Sequence, residues 1–168
     1  MKDGKAAAGN VTVIARSGIS VFVRKGAPKP DISSPEALKR TLLAAKSITY
    51  ANPAATAAGA HVAKVLDRLG IADEMKSKTV FRKNGGSVVL VANGEAEIGV
   101  TVIQDVISRA GVELVGPLPG DLQDTIVYAA AIMAGAKDTA ASKALVDFLR
   151  TPEAAAVIKA RGMEPATP

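Results

Sequence analysis

The chain has 168 residues, enough for one full domain or for two small lobes. Hydrophobic residues make up 48% of it but aromatic residues only 3%, so the core must be built mainly from Ala, Val, Ile and Leu. The net charge of +5 comes from basic residues spread along the chain. The chain has no block of basic residues and no aromatic residues interleaved with them, so a typical nucleic-acid-binding surface is excluded.

The sequence also limits the chemistry of any site. It contains no cysteine, which excludes disulfides, thiol nucleophiles and thiolate metal sites. Metal-ligand clusters and phosphate-binding glycine fingerprints are missing too, so we expect no metal ion or cofactor. No apolar run approaches the roughly 18–20 residues that cross a bilayer. Residues 1–10 lack the apolar core of a signal peptide, so the chain as written would stay in the cytoplasm if Met1 is the natural start.

The first predicted elements are two strands and a helix. Val11 to Ala15 and Ile19 to Arg24 have the apolar pattern of strands, and Arg16-Ser17-Gly18 separates them. Ser34-Pro35-Glu36 then combines a capping hydroxyl, a proline at the first helical position and an acid in the first turn. We therefore predict a helix after Ser34.

The stretch from Ser47 to Gly70 is the most informative part of the chain. Ser47 to Ala51 is typical of a short buried strand. Asn52-Pro53 ends that strand, because proline has no N–H and disfavours a helical conformation in the residue before it. From about Ala58, apolar residues recur at helical spacing until Gly70, which is well placed to end a helix.

A run of small residues, Ala54 to Gly59, lies between this strand and this helix. Small side chains let a ligand approach the free N–H groups of the helix's first turn, where the helix dipole also favours negative charge. The run therefore predicts a seat for a small anion. The alternative is that the small residues serve only tight packing or helix propensity.

The second half of the chain continues the alternation of strands and helices. A predicted strand from Lys78 to Arg82 leads into the glycine-containing turn Arg82-Lys-Asn-Gly-Gly-Ser87, with Ser87 as the expected helix cap. A short helix is predicted from Val88 to Ala92, and a strand from Glu97 to Val102. The remaining predicted elements are strands at 112–115 and 125–133, and helices at 141–148 and 152–161.

This alternation of strands and helices argues for parallel sheets. In such sheets, ligands bind beyond the carboxyl ends of the strands. The loops that meet this condition comprise residues 52–59, 83–87 and 101–105, and we expect a binding site to be built from them.

Segments spread along the whole chain also carry a family resemblance. They are Ile32-Ser-Ser-Pro-Glu-Ala-Leu38, Ile48-Thr-Tyr-Ala-Asn-Pro53 leading to Ala58-Gly59, Gly94-Glu-Ala-Glu-Ile-Gly99, and Leu145-Val-Asp-Phe-Leu-Arg-Thr-Pro-Glu-Ala154 with the closing Arg161-Gly-Met163. In this order they resemble the periplasmic molybdate-binding protein family of ABC importers. The resemblance covers essentially all of the sequence.

The resemblance implies an α/β fold of the two-lobed, type II periplasmic-binding-protein kind, with parallel sheets and hinge closure over the ligand. Lobe 1 would combine residues 1–46 with 126–168, and lobe 2 would comprise 47–125. Family members begin with an export signal and with first-lobe elements that precede the segments matched here, so we expect an incomplete first lobe. Bare sheet edges and apolar faces in that lobe predict a homo-oligomer.

For the site, the resemblance implies a ligand held by backbone amides at the start of a helix. Ala58 matches the family's oxyanion-binding amide at this position. Thr56, Ala57 and Gly59 line the same turn and are expected to contact the ligand as well.

A second part of the site is implied at the next strand-to-helix turn. Asn84 falls where the family offers another backbone amide, and Gly85, Gly86 and Ser87 lie beside it. Val102 stands where the family usually has a tyrosine that touches molybdate. The expected ligands therefore include other anions, small carboxylates among them.

Side chains near these loops are further candidates, and each has an ordinary alternative. Gln104 follows a strand end and either contacts a ligand or is a solvated loop residue. His61, Asp105 and Tyr50 are the bases available for proton transfer, although His61 can equally be packed or exposed and Tyr50 can be a core residue. Basic residues near the loops either pair with an anionic ligand or solvate the surface: Arg16, Arg82 and Lys83.

The sequence therefore supports two functions. The first is a solute-binding protein, or a truncated relative, that holds a small oxyanion or carboxylate at a helix start between two lobes. Its partners would be that anion and the membrane component of an ABC importer, and its location by resemblance would be the periplasm. The second is an isomerase or tautomerase of a small carboxylate, although no catalytic dyad or triad spacing is visible.

Overall fold

The computed structural model of the chain describes residues 6–81 and 86–166. The strands are Ala6–Arg24 (β1), Ile48–Tyr50 (β2), Ile98–Val102 (β3), Val112–Pro117 (β4), Thr125–Met133 (β5) and Glu164–Pro165 (β6). The helices are Pro35–Ala44 (α1), Ala57–Arg68 (α2), Ala72–Lys76 (α3), Ser87–Ala92 (α4), Ile103–Ile107 (α5), Thr139–Phe148 (α6) and Pro152–Ala160 (α7), and a 3₁₀ turn spans Gly120–Leu122.

The chain divides into two compact units, Met1–Ser17 with Val127–Pro168, and Gly18–Ile126. Residues 18–46, which the predicted lobe division assigns to lobe 1, belong to the larger of these units. They do so because the inner face of α1 lies in the same hydrophobic cluster as β2 and α2. The division of the binding protein into its two lobes stays a prediction.

The larger unit contains a mixed sheet with the strand order β2-β3-β1-β4. β2 and β3 run parallel, with Ile48 opposite Ile98 and Tyr50 opposite Val100. β1 runs antiparallel to both β3 and β4. The expectation of parallel sheets is therefore correct for β2 and β3 and wrong for β1. The helices between β2 and β3 supply the crossover that parallel pairing needs, but a strand-helix pattern carries no information about the direction of β1.

Hydrophobic side chains cover both faces of this sheet. On one face, β1, β2 and β3 pack against α1, α2 and α3 in a cluster of buried aliphatic residues. On the other face, Phe22 of β1 packs with α4 and α5. A Cβ atom on Gly99 would lie 2.0 Å from Cζ of Phe22, so the glycine makes room for this ring. Full burial of a large apolar side chain contributes about 1.5–3 kcal/mol, so the two clusters hold the helices on the sheet.

β1 continues through Arg16-Ser17-Gly18, where the sequence predicts a break between two strands. That prediction is wrong because the side chain of Gln123 forms hydrogen bonds with the backbone of Ile19, next to the glycine. The N–H of Ile19 donates to Oε1 of Gln123 at 3.1 Å, and the C=O of Ile19 accepts from Nε2 of Gln123 at 2.9 Å. One amide side chain thus completes the hydrogen bonding of the strand, and no turn is needed.

The predicted strand from Lys78 to Arg82 is also wrong over its described residues. Thr79 makes an isolated bridge to Ile48, and α3 lies just before it. α3 has acidic residues in its first turn and Lys76 in its last, charges that favour a helix through its dipole. Arg82 itself lies outside the described residues.

The predicted helix starts have mixed outcomes. The start at Ser34 is confirmed, since its Oγ accepts from the N–H of Ala37 at 3.1 Å. Ser87, expected as a cap, is instead the first residue of α4, and Gly86 takes the cap position without a side-chain hydrogen bond. Residues 103–105, expected in a loop, form the first turn of α5.

The smaller unit contains the first part of β1, which pairs with β5 and β6. The predicted helices of this region are confirmed as α6 and α7. Their caps are Asp138 and Thr151, whose side chains accept from the N–H groups of Ala141 and Ala154. Across residues 6–81 and 86–166, no helix has both the length and the apolar character that crossing a bilayer requires.

Candidate functional site

The first turn of α2 follows closely on the end of β2, and local polar groups define where it begins. Thr56 caps the helix, because its Oγ1 accepts from the N–H of Gly59 at 3.0 Å. Asn52 holds the loop before it: its side-chain oxygen accepts from the N–H of Ala54 at 2.9 Å, and its C=O accepts from the N–H of Thr56 at 3.1 Å. The chain thus enters α2 in a fixed conformation.

Two backbone N–H groups at the start of α2 can donate hydrogen bonds to a ligand. Within the described part of the chain, the N–H groups of Ala57 and Ala58 have no hydrogen-bond acceptor, whereas those of Gly59 and Ala60 bond to Thr56. The N-terminus of a helix carries the positive end of its dipole, and N–H groups there bind anions. Since residues 57 and 58 are alanines, no bulky side chain of theirs stands in the way of a ligand.

Gly59 lets α2 approach the end of β2 closely. A Cβ atom at this position would lie 2.2 Å from the carbonyl oxygen of Ala51 and 2.8 Å from the carbonyl carbon of Asn52. Such distances leave no room for any side chain. The packing alternative for the small residues is therefore correct at Gly59.

A pocket of about 160 Å³ lies at the carboxyl ends of the parallel strands β2 and β3. Ala51 follows directly after β2, and Thr101 lies near the end of β3. The residues that line the pocket are Ala51, Gly86, Ser87, Val88, Val89, Thr101, Asp105 and Arg109. Because Ala51 also carries the carbonyl that Gly59 packs against, the pocket and the first turn of α2 share one piece of backbone.

Polar side chains of both charges line this pocket. Thr101 is buried, and its Oγ1 lies 3.4 Å from Oδ2 of Asp105, to which it donates a hydrogen bond. Ser87 is 7% exposed. The Ser87 hydroxyl and the Arg109 guanidinium have no partner among residues 6–81 and 86–166. The pocket therefore offers a cation, a carboxylate and two hydroxyls to a small ligand.

The structure brings some of the predicted site residues together. Gly86, Ser87 and Asp105 line the pocket, and Thr56 to Gly59 form the helix start beside Ala51. Gln104 lies in α5 and is not among the residues that line the pocket. Four further candidates lie outside the described residues: Arg82, Lys83, Asn84 and Gly85. A ligand role for each of these predicted residues stays a prediction.

Sequence reasoning missed Ala51 and Arg109, and it included Thr101 only as part of the loop 101–105. Ala51 follows directly after β2, so the rule on the carboxyl ends of strands could have found it. Arg109 lies four residues after Asp105, just beyond α5, and nothing local in the sequence marks it as a pocket residue.

His61 is occupied by structural contacts. Its Nε2 lies 2.8 Å from the carbonyl oxygen of Leu122, and its Nδ1 lies 3.3 Å from Oδ2 of Asp124. The ring therefore ties α2 to the segment that leads into β5. These contacts account for the residue, and a role as proton carrier stays a prediction.

Tyr50 packs edge-on against Phe81, with ring centroids 5.1 Å apart, and lies against the main hydrophobic cluster. Burial, and to a lesser extent the Asp67 carboxylate, raises the pKa of Tyr50 above its ordinary value of 10.0. The phenol is thus protonated at neutral pH, and a role for Tyr50 in proton transfer stays a prediction. Arg16 lies exposed on β1, opposite Glu164 of β6.

A wider depression of about 400 Å³ lies between α1, the end of α2 and the 3₁₀ turn. Its charged lining includes Arg68 and Asp121, which form an ion pair with each other. Glu36 and Lys39 also line this depression, and none of its lining residues belongs to the ends of β2 or β3. Among the described residues there is also no group of three or more His, Asp or Glu side chains that could hold a metal ion.

Comparison with known proteins identifies the family. A model of the bacterial extracellular solute-binding protein family matches residues 1–164. The chain belongs to this family. Bacterial extracellular solute-binding proteins are periplasmic or extracellular, and the resemblance to molybdate-binding proteins that the sequence carries is confirmed.

Curated relatives in this family include binding proteins and an enzyme. The aconitate isomerase of a Pseudomonas species is 30% identical over 153 residues, which cover 90% of this chain and 57% of the relative. The molybdate-binding protein ModA of Azotobacter vinelandii is 38% identical over 125 residues, which cover 70% of this chain and 48% of the relative. The chain thus spans about half the length of the curated relatives it matches.

Solved structures agree on the fold. The periplasmic molybdate-binding protein of Azotobacter vinelandii matches with a TM-score of 0.75 and 23% identity, over 99% of this chain and 72% of that one. Peb3 from Campylobacter jejuni matches with a TM-score of 0.70 and 17% identity, over 96% of this chain and 71% of that one. The fold is therefore the α/β fold of type II periplasmic binding proteins, as the sequence predicts.

The close contact at Gly59 leads to a stability prediction. Replacing an exposed helical glycine by alanine normally stabilises a helix by about 1 kcal/mol. Gly59→Ala is instead expected to lower the free energy of unfolding by about 1–3 kcal/mol, the usual cost of overpacking, because the new Cβ meets the backbone of Ala51. Urea denaturation measures the difference.

The matched control is Gly116→Ala in β4. There the nearest atom to a new Cβ is Cδ1 of Ile32 at 3.5 Å, an ordinary contact, so we expect a much smaller change in stability. A Gly59→Ala variant as stable as the parent chain would contradict the packing described for α2.

Proposed function

We propose that this chain is the anion-binding part of a bacterial solute-binding protein and that it holds a small anion at the first turn of α2. The observation that carries the proposal is the pair of N–H groups at Ala57 and Ala58, which lack an acceptor in the described part of the chain. Helix dipole and N–H donors act together at such a site. The net charge of +5 adds a long-range attraction for anions.

The relatives support an anion as the ligand. Molybdate-binding proteins are anion binders by name, and they match this chain over most of its length. Val102, at the position where the family resemblance implies a tyrosine, is buried in the main hydrophobic cluster. No phenol is offered to the ligand there, which favours recognition by backbone N–H groups and by the pocket beside them.

The proposal includes a partner and a location. A solute-binding protein of this family delivers its ligand to the membrane component of an ABC importer, and we assign such a partner to this chain. Delivery of this kind takes place outside the cytoplasmic membrane. The proposed location is therefore the periplasm or the extracellular face.

A second candidate function is the isomerisation of a small carboxylate, which the aconitate isomerase relative favours. Asp105 is the side chain that this function would use as its base, because it lines the pocket beside Thr101. NMR spectra of unsaturated tricarboxylates incubated with the chain in D₂O separate the two functions. Proton exchange that is lost in Asp105→Asn favours the isomerase, and ligand retention without turnover favours the binding protein.

The test of the leading proposal is calorimetric titration against molybdate, tungstate, sulfate, phosphate, and di- and tricarboxylates. We expect saturable binding of at least one of these anions. Ala57→Pro should weaken it roughly ten- to a hundredfold, the effect of losing one hydrogen bond to a charged group. Proline is tolerated at the first helical position, so this variant removes the donor and keeps the helix.

Thr139→Pro is the matched control, because it makes the same change at the first position of α6. It should leave anion affinity unchanged. The absence of binding by any of these anions to a folded chain would contradict the proposal.

We also propose that this chain self-associates through its smaller unit. Large apolar side chains are exposed there, with Leu145 and Phe148 of α6 each 59% exposed and Val157 of α7 62% exposed. α6 buries none of its residues. Exposed apolar faces of this kind are typical of surfaces that another protein surface covers, and a second copy of the chain presents the same face.

Static light scattering at micromolar concentration tests the self-association. We expect dimers or larger assemblies, and we expect the double variant Leu145→Lys with Phe148→Lys to shift them towards monomers. Lys143→Ala, on the same helix, is the control and should leave the assemblies intact. A parent chain that is monomeric under these conditions would contradict the proposal.

A further inference from the structure

The pocket at the ends of β2 and β3 has room for a small organic ligand. Its volume is about 160 Å³. A cavity of about 150 Å³ in another protein holds benzene, a molecule of six carbon atoms. A ligand of this size has a carbon skeleton of two or three atoms once its polar groups are counted, so the pocket has room for an organic acid.

Arg109 sets the charge of the group that enters the pocket. The guanidinium is exposed and has no ion-pair or hydrogen-bond partner in the described ranges, and the nearby Asp105 is not within salt-bridge distance of it. A guanidinium presents a rigid fork of donors that matches the two oxygens of a carboxylate. Arg109 is therefore the pocket's site for a planar carboxylate.

The other polar groups set what the ligand carries beside its carboxylate. Asp105 repels a second carboxylate but accepts a hydrogen bond from a hydroxyl. Ser87 is 7% exposed; its hydroxyl has no partner within residues 6–81 and 86–166 and is still reached by solvent. It can therefore exchange water for a ligand hydroxyl. A ligand hydroxyl satisfies both side chains.

We propose that this pocket extends the anion seat: it takes a small hydroxycarboxylate whose carboxylate is held between the first turn of α2 and Arg109 and whose hydroxyl lies at Asp105 and Ser87. The inference rests on the proposed function, because the pocket adjoins the first turn of α2 through Ala51, and it names the class of anion that the chain prefers. Arg109 is then a specificity-determining residue. An inorganic oxyanion has neither the planar carboxylate nor the separate hydroxyl.

The test is calorimetric titration with both enantiomers of lactate, with propionate and with molybdate. Lactate and propionate differ by the one hydroxyl, so we expect one lactate enantiomer to bind roughly tenfold more tightly than propionate. Arg109→Gln should weaken lactate binding by a factor of roughly ten to a hundred. Arg109→Lys keeps the charge without the fork and should have an intermediate effect.

The control is Arg40→Gln on α1, which removes the same charge from an exposed side chain outside the pocket. It should leave lactate affinity unchanged, and circular dichroism checks that every variant is folded. Equal affinity for lactate and propionate, or lactate affinity unaffected by Arg109→Gln, overturns the inference. Binding of molybdate without lactate also overturns it but leaves the proposed function intact, whereas binding of no anion overturns both.

Discussion

The parallel pairing of β2 with β3 is the constraint on which the rest of the larger unit depends. It brings two strand ends that are far apart in sequence to one edge of the sheet, so that Ala51 and Thr101 border the same pocket. α2 can begin at this edge only because Gly59 carries no side chain against the Ala51 carbonyl. The proposed anion seat and the pocket thus both depend on one strand pairing and on the absence of a Cβ atom at Gly59.

Two kinds of recognition meet at this edge. On the proposed function, the N–H groups of Ala57 and Ala58 recognise negative charge and leave no side-chain signature, which is why the sequence alone does not name the anion. On the same proposal, the side chains of Ser87, Asp105 and Arg109 recognise the shape of the ligand and the groups beside its charge. Because the two sets lie on different elements, we expect substitution of the second set to change the preferred anion without disturbing the helix start. This arrangement suits a family whose relatives include both molybdate binders and an aconitate isomerase.

The helix start at Ser34 could be predicted from the sequence because it depends on neighbouring residues: its cap bonds to a residue only three positions further along the chain. The cap expected at Ser87 was wrong by one residue, since the glycine before it takes the cap position. The continuity of β1 could not be predicted, since it depends on Gln123, which lies 104 residues away from Ile19. Arg109 likewise becomes a pocket residue only once β3 and α4 are packed together. The fold family, which many weak segments in series indicate, was predicted better than the side chains of the site.

The most direct measurement is a ¹H–¹⁵N NMR titration of the chain with the anion that binds best. Hydrogen bonding to an anion shifts an amide signal, so the signals of Ala57 and Ala58 should move most, with smaller shifts at Ser87. The signal of Thr139, at the start of α6, should stay in place. Saturable shifts confined to other parts of the chain, with Ala57 and Ala58 unaffected, would contradict an anion seat at the first turn of α2.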